Sequence, residues 1–422
     1  MYRITSSRLH GLERLAVTFL SSLAIALVTL LSIPMANAQT KPNATHWITT
    51  WGAAPDSPGP ELPVQTIRQI MRVSVGGDAV RVKISNEYGD KPLLINAANV
   101  AQHAQGAAIV DSSLHRLTVA GQAQFTIAVG ASVMTDAVHM SVMPLQELAL
   151  SLFFAEGTGI STIHSTGMQT AYISNGDDQS AMTTARVDSK DDSRYFVTDI
   201  EVRTDKQVRS VVAIGDSITD GVGSPDDANM RWPDQLATRL QATKQFQPIA
   251  VINSGISGNR ILNDGVDPFL GPSTLKRFER DALEKANVKW IILLQGINDI
   301  TASGMFTDAK QKVTADQIIA GMKILIARAH EHGIKIIGAT LLPRGGSTGP
   351  RGITPAAETM RQQVNAWIRG DNPFDAMVDF DKIVRDPDHP DRQRQAFFSG
   401  DFTHLNAAGY RALAEAIDLS IF

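Results

Sequence analysis

From residue 209 to the C-terminus, short apolar runs alternate with stretches of helical periodicity, and this alternation restricts the fold more than any other feature of the chain. SVVAIG, IAVIN, VKWIILLQ, KIIGATLL and AMVDF are separated by WPDQLATRLQA, KRFERDALEKA, ADQIIAGMKILIARAHEHG and AETMRQQVNAWIR, and NAAGYRALAEAIDL closes the series. A strand that is apolar at nearly every position has no face to offer water, so helices must cover both sides of its sheet. Five such runs predict a parallel sheet in a three-layer α/β domain, residues 208–422.

Residues 45–207 follow a period of two instead. MRVSV and VRVKIS flank Gly76, Gly77 and Asp78, a hairpin signature. FTIAV and LALSLFF continue the pattern, and Gly, Asn and Asp punctuate it. A β-rich sandwich or jelly-roll-like domain follows for residues 39–207, with the boundary near Lys206. Such a module could contact carbohydrate or serve as a scaffold beside the second domain. The charged stretch at residues 187–194 is expected to be a solvated loop.

Arg3, Arg8 and Arg14 precede LAVTFLSSLAIALVTLLSI and then MANA, an A-x-A pattern ending at Ala38. Residues 1–38 therefore read as a signal peptide cleaved after Ala38, which predicts a secreted or periplasmic protein with no stable membrane anchor. The apolar run is longer than the usual signal core, so a retained anchor is the alternative. A formal charge of −4 and the absence of a basic run argue against nucleic acid as a partner. The chain has no cysteine, which rules out disulfides and a lipid-modified N-terminal cysteine.

In open parallel sheets, ligands bind beyond the carboxyl ends of the strands. Ser217 stands just past the first apolar run of the second domain, in VVAIGDSITDG, where a turn can lift its hydroxyl into a cleft. IAVIN runs into SGISGN, with Gly255 and Gly258, and VKWIILLQ runs into GIND, with Asn298. A glycine amide and an Asn side-chain N–H beside a serine can form an oxyanion hole. A serine hydroxyl needs a base, and DFTHLNAAGY supplies Asp401 and His404 three residues apart, before a helix that Asn406 can cap. In that pairing the carboxylate fixes the tautomer of the imidazole.

GDSITDG, NSGISGN, GIND and DFTH, in this order, resemble the four blocks of the SGNH, or GDSL-type, hydrolase superfamily. The resemblance covers the second domain and is consistent with that family's flavodoxin-like fold. By motif it implies Ser217 as nucleophile, His404 as base and Asp401 as orienting acid. Its implied oxyanion donors are the Ser217 amide, the Gly258 amide and the Asn298 side chain. Gly255 is the other glycine in reach, but the N-x-x-x-x-G pattern from Asn253 selects Gly258. One departure is Ile218, where the name-giving motif has Leu. The arrangement of a β-rich region opening with WITTWGAAP ahead of the hydrolase blocks is similar to secreted bacterial members.

Other chemistry is set aside. There is no dinucleotide fingerprint, P-loop or H-E-x-x-H, and no cofactor or metal is expected. The DPDHPD run, residues 386–391, reads as a rigid turn, and Asp220 and Asp299 as loop braces. The resulting expectation is a serine carboxylesterase acting on short-chain or acetyl esters of small molecules or polysaccharides. A carbohydrate O-acetylesterase and a lysophospholipase-type lipid esterase are the alternatives. A non-catalytic carbohydrate-binding protein with a hydrolase fold is the rival of another class, and a serine-directed fluorophosphonate would label only the enzyme.

Overall fold

Each apolar run becomes a strand whose alternate side chains enter two different cores. In Arg209–Gly215, Val211 and Ala213 face one core while Val212 and Ile214 face the other. Val288–Leu294 divides likewise, Trp290, Ile292 and Leu294 against Ile291 and Leu293. Period-two geometry thus turns an uninterrupted apolar run into the middle layer of three. Helices Trp232–Ala242, Phe380–Val384 and Ala407–Ala416 pack on the first face, and Ala315–Glu331 and Pro355–Arg369 on the second.

This computed structural model describes residues 45–205, 207–243, 248–305, 308–346, 353–370 and 372–422. The expected leader, residues 1–38, and Lys206 at the expected boundary lie outside the described residues. Thr45–Phe422 form one compact unit. Among the described residues, the parallel strands lie in the order Ile249–Gly255, Arg209–Gly215, Val288–Leu294, Lys335–Ala339, Ala376–Val378. This is the flavodoxin-like order, and its direction reverses at Arg209–Gly215. Gly215 pairs with both Gly255 and Leu294, so the chain leaves all three strands at one level. That register gathers the segments after residues 215, 255 and 294 into one crevice.

The N-terminal region is β-rich and antiparallel. One sheet runs His46–Gly52, Val197–Thr204, Ala79–Ser85, Ser132–Met134. A six-stranded sheet is centred on Gln65–Arg72 and Glu147–Phe154. A single core takes Val80, Val82, Ile200 and Val202 from the first and Ile67, Met71, Leu148 and Leu150 from the second, so the two sheets pack face to face.

The sequence pattern misleads in two places. Gln65–Arg72 and Ala79–Ser85 are not a hairpin, because they belong to different sheets and the Gly-Gly-Asp segment crosses between them. Gly77 is there for close approach, not for a reversed turn: a Cβ on it would lie 2.2 Å from the Arg203 carbonyl oxygen. Nor is the stretch at residues 187–194 only a loop, although residues 187–190 are exposed as expected. Ser189–Asp191 pairs with the strand Ala171–Asn175, and Arg194 is buried opposite His164.

The β-rich region also covers the edge strand Ile249–Gly255, whose unpaired side would otherwise be open to other strands. The Val251 amide donates to Ser74 Oγ at 3.0 Å, and the Ala286 amide to Thr49 Oγ1 at 2.9 Å. Lys285 and Asp199 form a buried ion pair at 2.5 Å across the same boundary.

Gly77→Ala is expected to lower the free energy of unfolding by about 1–3 kcal/mol, the usual cost of overpacking. Denaturant unfolding at a fixed pH measures it. A loss too small to resolve would mean that the crossover can shift away from Arg203.

Candidate active site

Ser217 is the first residue of a short helix, Ser217–Asp220, that begins where the central strand ends. Asp216 is extended and caps this helix, its carboxylate accepting the Ile218 amide at 3.0 Å, and Gly221 closes it in the left-handed region. The turn is therefore held at both ends, which leaves Ser217 nearly buried with its hydroxyl directed at one partner. That partner is His404, whose Nε2 lies 2.8 Å from Ser217 Oγ.

On its other side, His404 Nδ1 makes a very short hydrogen bond with Asp401 Oδ2. Asp401 Oδ1 accepts the amides of Thr403 and His404 at 2.9 and 2.8 Å. Three residues suffice for this return because Phe402 has a φ of 62°, a sparsely populated conformation for a non-glycine residue. Its ring packs on Phe398 at a centroid distance of 4.9 Å. Burial works against the Asp401 charge, but the hydrogen bonds from His404 and Thr403 outweigh it and hold the carboxyl well below its ordinary range. Asn406 accepts the Gly409 amide at 3.0 Å and so caps the helix that follows.

The two glycines separate cleanly. The Gly255 amide is already bonded to Asn253 Oδ1 at 2.9 Å, and a Cβ on Gly255 would lie 2.3 Å from the Asp220 nitrogen. Gly255 is thus the residue that lets the second strand's end press against the Ser217 helix. Gly258 has a φ of 73°, and no hydrogen bond among the described residues engages its amide or that of Ser217. Asn298 Nδ2 donates to the Asn259 carbonyl at 3.1 Å, which fixes the amide plane and leaves its second N–H to donate elsewhere. Gln295 Nε2 donates to the same carbonyl at 2.7 Å.

Residues 213–412 match the GDSL-like Lipase/Acylhydrolase family. The match covers slightly less than half of the chain, and that segment is similar to a GDSL-like domain. Among solved structures, the GDSL-like domain resembles an acetylxylan esterase from Geobacillus stearothermophilus, 24% identical, over 49% of this chain and 91% of that one, with a TM-score of 0.36. An aryl esterase from M. smegmatis is 17% identical, over 49% and 95%, with a TM-score of 0.38. A GDSL-like lipase from Bacteroides thetaiotaomicron VPI-5482 is 22% identical, over 50% and 87%, with a TM-score of 0.36. No curated protein matches the chain.

Several supports of the GDSL-like domain were not visible in its motifs. Arg277 is wholly buried and donates to the carbonyls of Gly215 and Ser254, at 2.9 and 2.8 Å, and to Asn259 Oδ1 at 3.0 Å. Arg344 donates to Thr301 Oγ1 at 2.5 Å and Thr403 Oγ1 at 2.8 Å, joining the Asn298 helix to the His404 loop. Asp299 accepts the amides of Ile261 and Leu262 at 2.8 and 3.1 Å, and Asp220 accepts from Ser257 Oγ at 2.8 Å. Asp386 is occupied by the amides of Asp388 and His389 in its own turn.

Burial raises two carboxyls beside the site. Asp299 is pushed up to about 6 against the pull of its two amide donors. Asp216 is pushed up to about 7, with the Ile218 amide, His404 and Arg344 countering burial only in part. A carboxyl that keeps its proton in the folded state while the unfolded chain has released it, above about pH 4, makes stability fall as pH rises. For Asp216 this loss runs from about pH 4 up through its raised value of about 7 and then levels off. Asp216→Asn keeps the acceptor for Ile218 and removes the titration. Its stability relative to the unmodified protein should therefore increase across that window in denaturant unfolding at several pH values, and parallel curves would contradict the assignment.

Proposed function

We propose that this protein is an exported serine carboxylesterase in which Ser217, His404 and Asp401 carry an acyl transfer. The reading rests on one observation above all: a single imidazole lies between a serine hydroxyl at 2.8 Å and a carboxylate on its opposite nitrogen. His404 Nε2 takes the Ser217 proton as Oγ attacks the ester carbonyl. The resulting oxyanion is held by the Ser217 and Gly258 amides and the free N–H of Asn298. Collapse of the tetrahedral intermediate breaks the bond to the alkoxy oxygen, which leaves as the alcohol with the proton from His404. Water then gives its proton to His404 and attacks the acyl-enzyme, and the acid departs as Ser217 regains its proton.

The substrate we propose is a short-chain ester, an acetyl ester first among these, of a small molecule or a polysaccharide. Export is supported by the Arg-flanked apolar leader and the A-x-A pattern ending at Ala38. An exported hydrolase meets esterified polymers outside the cytoplasm, and the name of the Geobacillus neighbour, an acetylxylan esterase, belongs to the same chemistry.

Ser217→Ala and His404→Ala should each abolish turnover of p-nitrophenyl acetate without altering the circular dichroism spectrum. Asp401→Asn should retain more activity than either, since orientation is degraded while the base remains. An active Ser217→Ala protein would exclude the acyl-enzyme route. Acetate release from acetylated xylan, lost in Ser217→Ala, would identify a carbohydrate esterase. Turnover of the small ester alone would direct the search to lipid or other small acyl esters.

A further inference from the structure

The imidazole of His164, at the end of the strand Ile160–His164 in the β-rich region, is surrounded by groups that only accept hydrogen bonds. Nδ1 lies 2.9 Å from the Ala54 carbonyl oxygen, and Nε2 lies 3.0 Å from the Thr166 carbonyl oxygen and 3.1 Å from Asp220 Oδ1. A carbonyl cannot donate, so both ring nitrogens must carry hydrogen and the ring is an imidazolium. Two buried carboxylates answer its charge, Asp220 and, 3.6 Å from Nδ1, Asp56. Burial opposes the cation, but these two acids outweigh it and raise His164 to about 9.

Asp220 is the last residue of the helix that Ser217 begins. Its Oδ1 receives His164, and its Oδ2 receives the Ser257 hydroxyl at 2.8 Å. Ser257 directly precedes Gly258. One carboxylate therefore joins the two segments that bear the free amides, and a cation from the other region of the chain fixes that carboxylate.

We propose that His164 is a positioning residue of the esterase site, acting through Asp220 and Ser257 to hold the Gly258 amide at its working distance from Ser217. This rests on the reading of Ser217 as nucleophile and Gly258 as oxyanion donor. It gives the β-rich region a part in catalysis that needs no contact with substrate. A donor displaced by a fraction of an ångström stabilises the oxyanion less while leaving ground-state binding nearly unchanged, so the loss falls on kcat and not on KM.

The test uses p-nitrophenyl acetate with the purified protein, Ser257→Ala, His164→Gln and the double variant. Arg72→Gln serves as a boundary control, because Arg72 donates across the same region boundary to Thr238 Oγ1 without touching the Ser217 helix or the Gly258 loop. Ser257→Ala and His164→Gln should each lower kcat about tenfold or more with KM within about twofold. The double variant should lose no more than about twofold beyond the worse single variant, because both act on one carboxylate. Arg72→Gln should leave kcat unchanged.

Folded single variants with unaltered kcat, effects that multiply, or an equal loss in Arg72→Gln would each overturn the proposal. If His164→Gln does not fold, Asp220→Asn takes its place in the same cycle with Ser257→Ala. An unmodified protein that turns over no ester would defeat the esterase reading itself, and the positioning role with it. An active protein with indifferent variants would defeat the positioning role alone.

Discussion

The crevice depends on one buried guanidinium. Arg277 takes carbonyls at the ends of two neighbouring strands, those of Gly215 and Ser254, and the side chain of Asn259 in the loop beyond, while Asp281 answers its charge at 3.1 Å. Backbone carbonyls that leave a sheet under a covering layer have no water to accept from, and each would carry a desolvation penalty if left unmet. Meeting two of them, together with the Asn259 side-chain oxygen, with one planar donor set fixes the strand ends relative to one another. A buried ion pair contributes little net stability, so geometric definition is the better account of this one. The turn bearing Ser217 and the loop bearing Gly258 both start from carbonyls that Arg277 holds.

Much of this was legible in the sequence because the parallel sheet demands it. A strand buried on both faces must be apolar throughout, and the segment after it must carry the polar groups of any site at that edge, so motifs and strand ends coincide. Ser217 and Asn298 stand out for that reason, whereas the Asp401–His404 pair, well past the last strand Ala376–Val378, stands out as an acid and a base three residues apart. The choice between Gly255 and Gly258 took a motif to make from letters. In the structure the Gly255 amide is spent on Asn253.

What the sequence hid has a common cause. Arg277 and Asp281 sit in KRFERD, which reads as the wet face of a helix, but after Thr274–Phe278 the chain widens into a π-helical turn over Glu279–Leu283 and Asp281 is buried. His164 is a lone histidine in a strand, and its partner Asp220 lies in the other region. The Gly-Gly-Asp segment looked like a turn because glycine serves both tight turns and close approach, and only the neighbouring strand, at Arg203, distinguishes them. Periodicity reports which side of an element faces inward, whereas these residues are defined by what crosses from elsewhere.

Charge is distributed accordingly. Asp216, Asp220 and Asp299 are all buried at the carboxyl edge of the sheet, and each is met by donors already in place: backbone amides for Asp216 and Asp299, His164 and Ser257 for Asp220. Fixed donors and acceptors of this kind need not reorganise when charge develops nearby, and that is the condition under which an oxyanion is stabilised most. The two apolar layers on the faces of the sheet carry none of these charges, so the interior that holds the fold together is separate from the edge that shapes the site.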